Sequence, residues 1–217
     1  MDIVMLENVS KKYNNKVVFS GLNLSIAKGQ LIALTGKSGI GKSTLLNIMG
    51  LILDNTDGNV SIYGHKNLKI NSKEAMMIRR NKIGYLFQNF GLIDDESVFY
   101  NLNLALAYKN MKRKDKINRI DELLEEFRLI ELKKKKVYQL SGGEQQRVAI
   151  IRLILQDCDL ILADEPTGSL DEINRNLIMK LLKDLNASGK TIIIVTHDPY
   201  IASQCKNVIE ISNLIIK

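Results

Sequence analysis

The stretch GKSGIGKST, residues 36–44, constrains this chain more than any other. It fits the pattern G-x-x-x-x-G-K-[ST]. Glycines let the backbone approach phosphate oxygens closely, and a helix beginning at the loop's end turns its N-terminal N–H groups toward an anion. The mechanism needs a buried strand before the loop and a helix after it. QLIALT (30–35) is a continuous apolar run, and KSTLLNIMGL reads as a helix. Lys42 can reach the β and γ phosphates, and Ser43 can ligate Mg2+. Gly36, Lys37, Ser38, Gly39, Ile40, Gly41, Lys42, Ser43 and Thr44 therefore form the candidate phosphate cradle. The bland alternative is a glycine turn with no ligand.

Short β-like runs alternate with helical stretches along the chain. IVMLENV and LNLSI alternate like half-buried strands, and NVSIYG and KIGYLF (82–87) read as further strands. Between Ser97 and Gln139 glycines vanish. Ile117, Ile120, Leu123, Leu124 and Phe127 recur there at helical spacing, which marks a helical insert. A helix through RVAIIRLILQ, the strand LILA (160–163), another helix, the strand TIIIVT (191–196) and a final short β pair follow. Apolar strands alternating with helices predict a mainly parallel sheet covered on both faces, an α/β fold.

Three further elements carry chemistry. LILADE (160–165) is an apolar strand that delivers Asp164 to the edge of the phosphate site, where it can hold the Mg2+ shell. Glu165 can then polarise an attacking water. Two acids after a strand can also merely cap a helix. His197, after TIIIVT, is placed to sense a γ-phosphate. Gln88, after KIGYLF, can ligate Mg2+ or the water; alone, it reads as polar surface. LSGGEQQ (140–146) is a second anion element: Ser141 followed by Gly142 and Gly143 at a helix N-terminus. It has no lysine of its own, so it can complete a site but cannot build one.

In order and spacing, GKSGIGKST, Gln88, LSGGEQQ, LILADEP, SLD (169–171) and His197 resemble an ATP-binding cassette (ABC) ATPase subunit over essentially the whole chain. The resemblance implies a P-loop core with an antiparallel β subdomain (1–88 and 141–217) and a helical subdomain (89–140). It implies ATP and Mg2+ as cofactors, with adenine stacked on Tyr13. It also implies a head-to-tail homodimer in which Ser141 and Gly143 reach the partner's γ-phosphate and Asp171 couples the two sites. The segment 89–105 would touch a membrane-spanning permease.

ADEPTGSLD and GKSTLLNIMGL are similar to the lipoprotein-release and macrolide-export branch, with Ser169 a departure from its usual asparagine. RNKIGYLFQNF and IIRLILQDCD resemble ATPase subunits of lactococcin 972-type bacteriocin exporters. The implied function is ATP-driven export of a peptide or another antimicrobial or lipophilic substrate. The alternative is a cell-division-type cassette that drives its membrane partner mechanically. The length reads as one cassette with nothing appended.

No apolar run approaches the roughly 18–20 residues that cross a bilayer. The N-terminus lacks the pattern of a secretory signal. These features predict a cytoplasmic protein, peripheral on the inner membrane face. The net charge is +7, much of it in KNMKRKDK (109–116) and KKKK (133–136). No aromatic-interleaved basic patch accompanies these runs, so they read as solvated faces and no nucleic acid is expected. Cys158 and Cys205 show no metal-binding spacing and read as partly buried reduced thiols.

Lys42→Ala should lower ATP turnover at least about a hundredfold, because a charge aimed at the transferring phosphoryl group is removed. Phosphate release measures this, and near-normal turnover would remove the loop from the chemistry.

Overall fold

Five strands run parallel; four are apolar and buried on both faces, and the fifth, at one edge, is largely exposed. The computed structural model describes residues 1–168 and 170–214. In chain order the elements are β1 (Asp2–Tyr13), β2 (Lys16–Ala27), β3 (Leu31–Thr35), α1 (Lys42–Met49), β4 (Asp57–Ile62), β5 (His65–Lys66), α2 (Lys73–Lys82) and β6 (Ile83–Leu86). Then come α3 (Val98–Ala105), α4 (Arg113–Glu126), α5 (Gly142–Gln156), β7 (Leu160–Asp164), α6 (Glu172–Ala187), β8 (Thr191–Val195), α7 (Pro199–Ser203) and β9 (Asn207–Glu210). The parallel sheet has the order β6-β7-β8-β3-β9. An antiparallel sheet, β2-β1-β4-β5, packs beside it.

Strand periodicity sorts the core into two layers. Leu160, Leu162, Ile193 and Val195 face Leu45 and Leu46 of α1 and the apolar side of the antiparallel sheet. Ile161, Ala163, Ile192 and Ile194 face Ala149, Ile150 and Leu153 of α5 and Ile178 and Leu182 of α6. A third cluster joins Leu102 of α3 and Ile120, Leu123 and Leu124 of α4 to Val148 and Ile151 of α5. Helix α5 thus belongs to both the sheet and the helical insert.

The expected alternation of strands and helices is present, with two differences. Residues 73–82 form α2, whose apolar signal in the sequence is weak because only Ala75 and Ile78 are buried on it. The expected C-terminal β pair is a single strand among the described residues: β9 adds in parallel to the edge at β3, and a 3-10 turn over Ile211–Asn213 follows. In the second basic run, Lys133 donates to Asp121 Oδ2 at 2.8 Å and lies over the Phe99 ring, while Lys134, Lys135 and Lys136 are exposed. Cys158 and Cys205 are buried free thiols, and burial pushes the pKa of each up to about 11.

Leu162 is fully buried in the middle of the sheet. Leu162→Ala should cost about 2–5 kcal/mol, because transfer and cavity terms add. In urea the midpoint should fall with little change in slope. A loss within about 0.5 kcal/mol, as at surface sites, would contradict this core.

Candidate functional site

Strands β3, β7 and β8 are neighbours in the sheet, so their carboxyl ends open at one edge. Register aligns them: Leu34 pairs with Val195, and Val195 pairs with Asp164. After β3 the chain turns through the glycine loop into α1. Gly41 has φ 99°, and a Cβ there would lie 2.5 Å from Val18 Cγ1, so only glycine fits. Gly41 is also the N-cap of α1 and supplies no capping side chain, and no acidic residue lies in the first turn. Hence no side chain competes for the helix's leading N–H groups, which remain free for an anion.

The side chain of Lys42 is buried back along this loop. Its Nζ donates to the carbonyls of Gly36 (2.8 Å) and Lys37 (3.1 Å), which holds the loop around its own lysine. The backbone N–H of Ile40 donates to Lys37 O at 3.3 Å, so this amide is committed within the loop. Ser38, Gly39, Gly41, Lys42, Ser43 and Thr44 line a cleft of about 490 Å³. Tyr13, Gln88, Glu165 and His197 line the same cleft. Tyr13 is half exposed, and Lys11 Nζ stands 4.9 Å from its ring centroid.

Ser43 Oγ donates to Asp164 Oδ1 at 3.0 Å. Burial raises the pKa of Asp164, and the neighbouring Glu165 adds to the rise, while the Ser43 hydrogen bond and Lys42 oppose it. A half-buried carboxylate beside a serine hydroxyl, facing a phosphate cradle, suits Mg2+. That ion keeps several waters and takes one or two protein ligands plus phosphate oxygens, so no cluster of three acids is required. Among the described residues no such three-membered cluster exists.

Glu165 sits at φ 45°, in the left-handed region, held by its N–H donating to Val195 O at 2.9 Å. Strain of this kind costs about 1–3 kcal/mol and persists where surroundings fix it. Thr196 Oγ1 donates to Glu165 Oε2 at 3.2 Å, and His197 Nδ1 lies 2.7 Å from Oε1. The carboxylate is therefore oriented from both sides. Thr196 was missed in the sequence; its one signal was a polar residue closing an apolar strand just before His197. The capping alternative for the acid pair does not hold. The helix that follows, α6, is capped by Asp171, which accepts from Asn174 N at 2.8 Å.

Ser141, Gly142, Gly143 and Asp171 do not line the cleft. Ser141 caps α5 in a capping box: its N–H and its Oγ–H both donate to Glu144 Oε2 at 2.8 Å. Its hydrogen bonds hold the Glu144 carboxyl below its usual range. The S-x-x-E spacing was the available signal for this box. Gly142 is exposed, with nothing within 4 Å of a built Cβ. Gly143 faces Asn174, whose amide donates to Asp171 Oδ2 at 2.7 Å and accepts from Arg147 at 3.2 Å. Asp171 is thus linked to the 140–146 element of its own chain. The departure at Ser169 lies outside the described residues.

The ABC transporter family profile matches residues 19–168. The chain belongs to the ABC transporter family. It carries the family's ATPase domain. Among relatives, it is 38% identical over 211 residues to a macrolide export ATP-binding/permease protein, MacB, of Campylobacter jejuni, covering 97% of this chain and 33% of that protein. The MacB of Psychrobacter cryohalolentis is 40% identical over 196 residues, covering 90% of this chain and 30% of that one. The chain therefore spans about a third of the length of the curated relatives it matches. Among solved structures, the ATP-binding cassette MJ0796, in a dimeric post-hydrolysis state bound to ADP and Pi, aligns with a TM-score of 0.87. The identity is 39%, over 96% of this chain and 94% of that one. The macrolide-export names agree with the branch expected from ADEPTGSLD. No helix among the described residues is long and apolar enough to cross a membrane.

The raised pKa of Asp164 sets a sign. Its charge disfavours folding at neutral pH, and that penalty fades as pH falls through the raised value. Asp164→Asn should therefore raise the Tm of the nucleotide-free protein. The gain should shrink in acid, and Mg2+-dependent turnover should be lost. A lower Tm at neutral pH would contradict the burial argument.

Proposed function

We propose that this chain binds Mg-ATP in the cleft between Tyr13 and His197 and powers a membrane permease. The observation that carries the reading is the division of the site. Ser38, Gly39, Gly41, Lys42, Ser43 and Thr44 of the cradle share one cleft with Glu165 and His197, and Asp164 is joined to it through Ser43, whereas the second anion element lies outside it on an exposed helix N-terminus. Two copies related head to tail would bring each 140–146 element onto the other's nucleotide. The dimeric state of the related cassette supports this pairing.

In this reading Lys42 and the loop N–H groups hold the phosphates, and Ser43, Asp164 and Gln88 hold Mg2+. When bound, the metal neutralises charge on the transferring phosphoryl group. Glu165, oriented by Thr196 and His197, accepts a hydrogen bond from the attacking water. Tyr13 stacks on adenine. Ser141 and Gly143 bind the partner copy's γ-phosphate, and Asp171 couples the two sites. Loss of that phosphate removes the contact that favours the closed dimer.

Residues 89–105, within the helical subdomain at 89–140, meet the permease. Ile52, Ile93 and Leu104 are each more than two-fifths exposed beside a groove of about 340 Å³, which supports a partner contact there. The exported cargo is a peptide, bacteriocin-like, or another antimicrobial or lipophilic molecule; the macrolide-export relatives support this class. The chain works at the cytoplasmic face of the membrane.

Glu165→Gln should cut hydrolysis about 10²–10⁴-fold while retaining ATP and accumulating a dimer, read by sedimentation. Co-purification of this variant from native membranes with Mg-ATP should recover a multi-spanning protein that stimulates wild-type turnover. Recovery of cell-wall or division proteins would favour the mechanical alternative. A monomer with unimpaired turnover would contradict the role of Glu165.

A further inference from the structure

Gln88 lies on a short turn between β6 and the helical insert, and that turn is conformationally unusual. Phe90 (φ 64°) and Gly91 (φ 62°) are consecutive left-handed residues. A Cβ on Gly91 would lie 2.4 Å from the Phe87 ring, so the turn closes directly onto that ring. Two such residues in series need an external hold, above all when one is a phenylalanine.

The hold comes from α5. The Arg152 guanidinium donates to the carbonyls of Gly91 and of Phe90 (2.9 Å), both after Gln88. It also reaches Tyr85 O, before Gln88, at 3.5 Å. The planar fork therefore spans both flanks of the turn, which a single ammonium cannot do. Its partners are carbonyls, and burial lowers its pKa to about 10, so it stays charged at neutral pH. Just after the turn the buried Asn101 fixes Ile93, accepting from its N–H (2.7 Å) and donating to its carbonyl (3.1 Å). The base of the turn is tied to the phosphate-loop helix as well: Tyr85 OH donates to Asn47 Oδ1 of α1 at 2.7 Å.

Arg152 stands on the helix whose first residues are Gly142 and Gly143. About 15 Å of uninterrupted α-helix separates Gly142 from Arg152. We propose that Arg152 is a positioning residue that ties the Gln88 turn to the signature helix, so that a displacement at Gln88 moves Ser141, Gly142 and Gly143 of the same chain. The proposal rests on the ATPase reading above. It assigns to one side chain the link between the nucleotide cleft, the 89–105 segment and the element offered to the partner copy.

The test uses the full chain with Arg152→Gln and Arg152→Lys. Arg152→Gln should lower kcat for Mg-ATP about 30-fold with KM within about twofold, because the cost is misplacement and not lost nucleotide contact. Arg152→Lys, which keeps the charge but not the fork, should recover kcat to within about threefold to tenfold of wild type. Hydrogen exchange of amides 87–93 should quicken in both variants, with β7 and β8 unchanged. Wild-type kcat in Arg152→Gln would overturn the proposal. So would unaltered exchange at 87–93, or equal kcat in the two variants. If Arg152→Gln does not fold, Arg152→Lys carries both readouts. If the wild-type chain itself hydrolyses no ATP, the ATPase reading fails, and exchange at 87–93 alone decides whether the clamp exists.

Discussion

The parallel register of β3, β8 and β7 is the constraint on which everything else depends. It sets Leu34, Val195 and Asp164 side by side at the carboxyl edge of the sheet. The phosphate loop leaves β3 there, Asp164 ends β7 there, and Thr196 and His197 follow β8 there. A slip of one residue would turn Asp164 away from Ser43 and reverse both core layers at once. The apolar faces that fix this register are completed by α1 on one side and by α5 and α6 on the other. Packing and chemistry thus constrain the same strands.

Two charges are held where water would solvate them better. Lys42 folds against two carbonyls, and Asp164 is half buried beside another acid. Both arrangements suit a site that trades water for phosphate and a divalent cation. Glu165 shows the same economy in its backbone, since a left-handed glutamate is held by the Val195 carbonyl, by the Gly168 N–H on its own carbonyl and by its two side-chain partners. By contrast, the 140–146 element is exposed, and its serine is occupied by Glu144. One half of the site is preorganised; the other is presented.

Much of this was legible in the sequence because it is local. The strand, glycine loop and helix at residues 30–51 follow from period and composition, as do β7 before Asp164 and β8 before His197. What escaped notice depends on contacts between residues far apart. Arg152 looks like one polar residue in the apolar run VAIIRLIL until the carbonyls of Tyr85, Phe90 and Gly91 are seen around it. Helix α2 is amphipathic with too few buried residues to announce itself. β9 pairs with β3, some 175 residues earlier, so its parallel placement had no local signal. Asp171 was read for its part across an interface, and the structure adds that it caps α6 and meets Asn174.

The central claim is that each nucleotide site is completed by a second copy. Mixing two inactive variants tests it most directly: Lys42→Ala, and Ser141 replaced by a bulky residue. In a head-to-tail dimer, the mixed pair holds one intact loop facing one intact 140–146 element. ATP turnover should then return on mixing, to about a quarter of wild type at equal amounts, since about half the dimers are mixed and each has one good site. If the mixture stays as inactive as either variant alone while mixed dimers are present, the two elements do not complement across the interface, and the account fails.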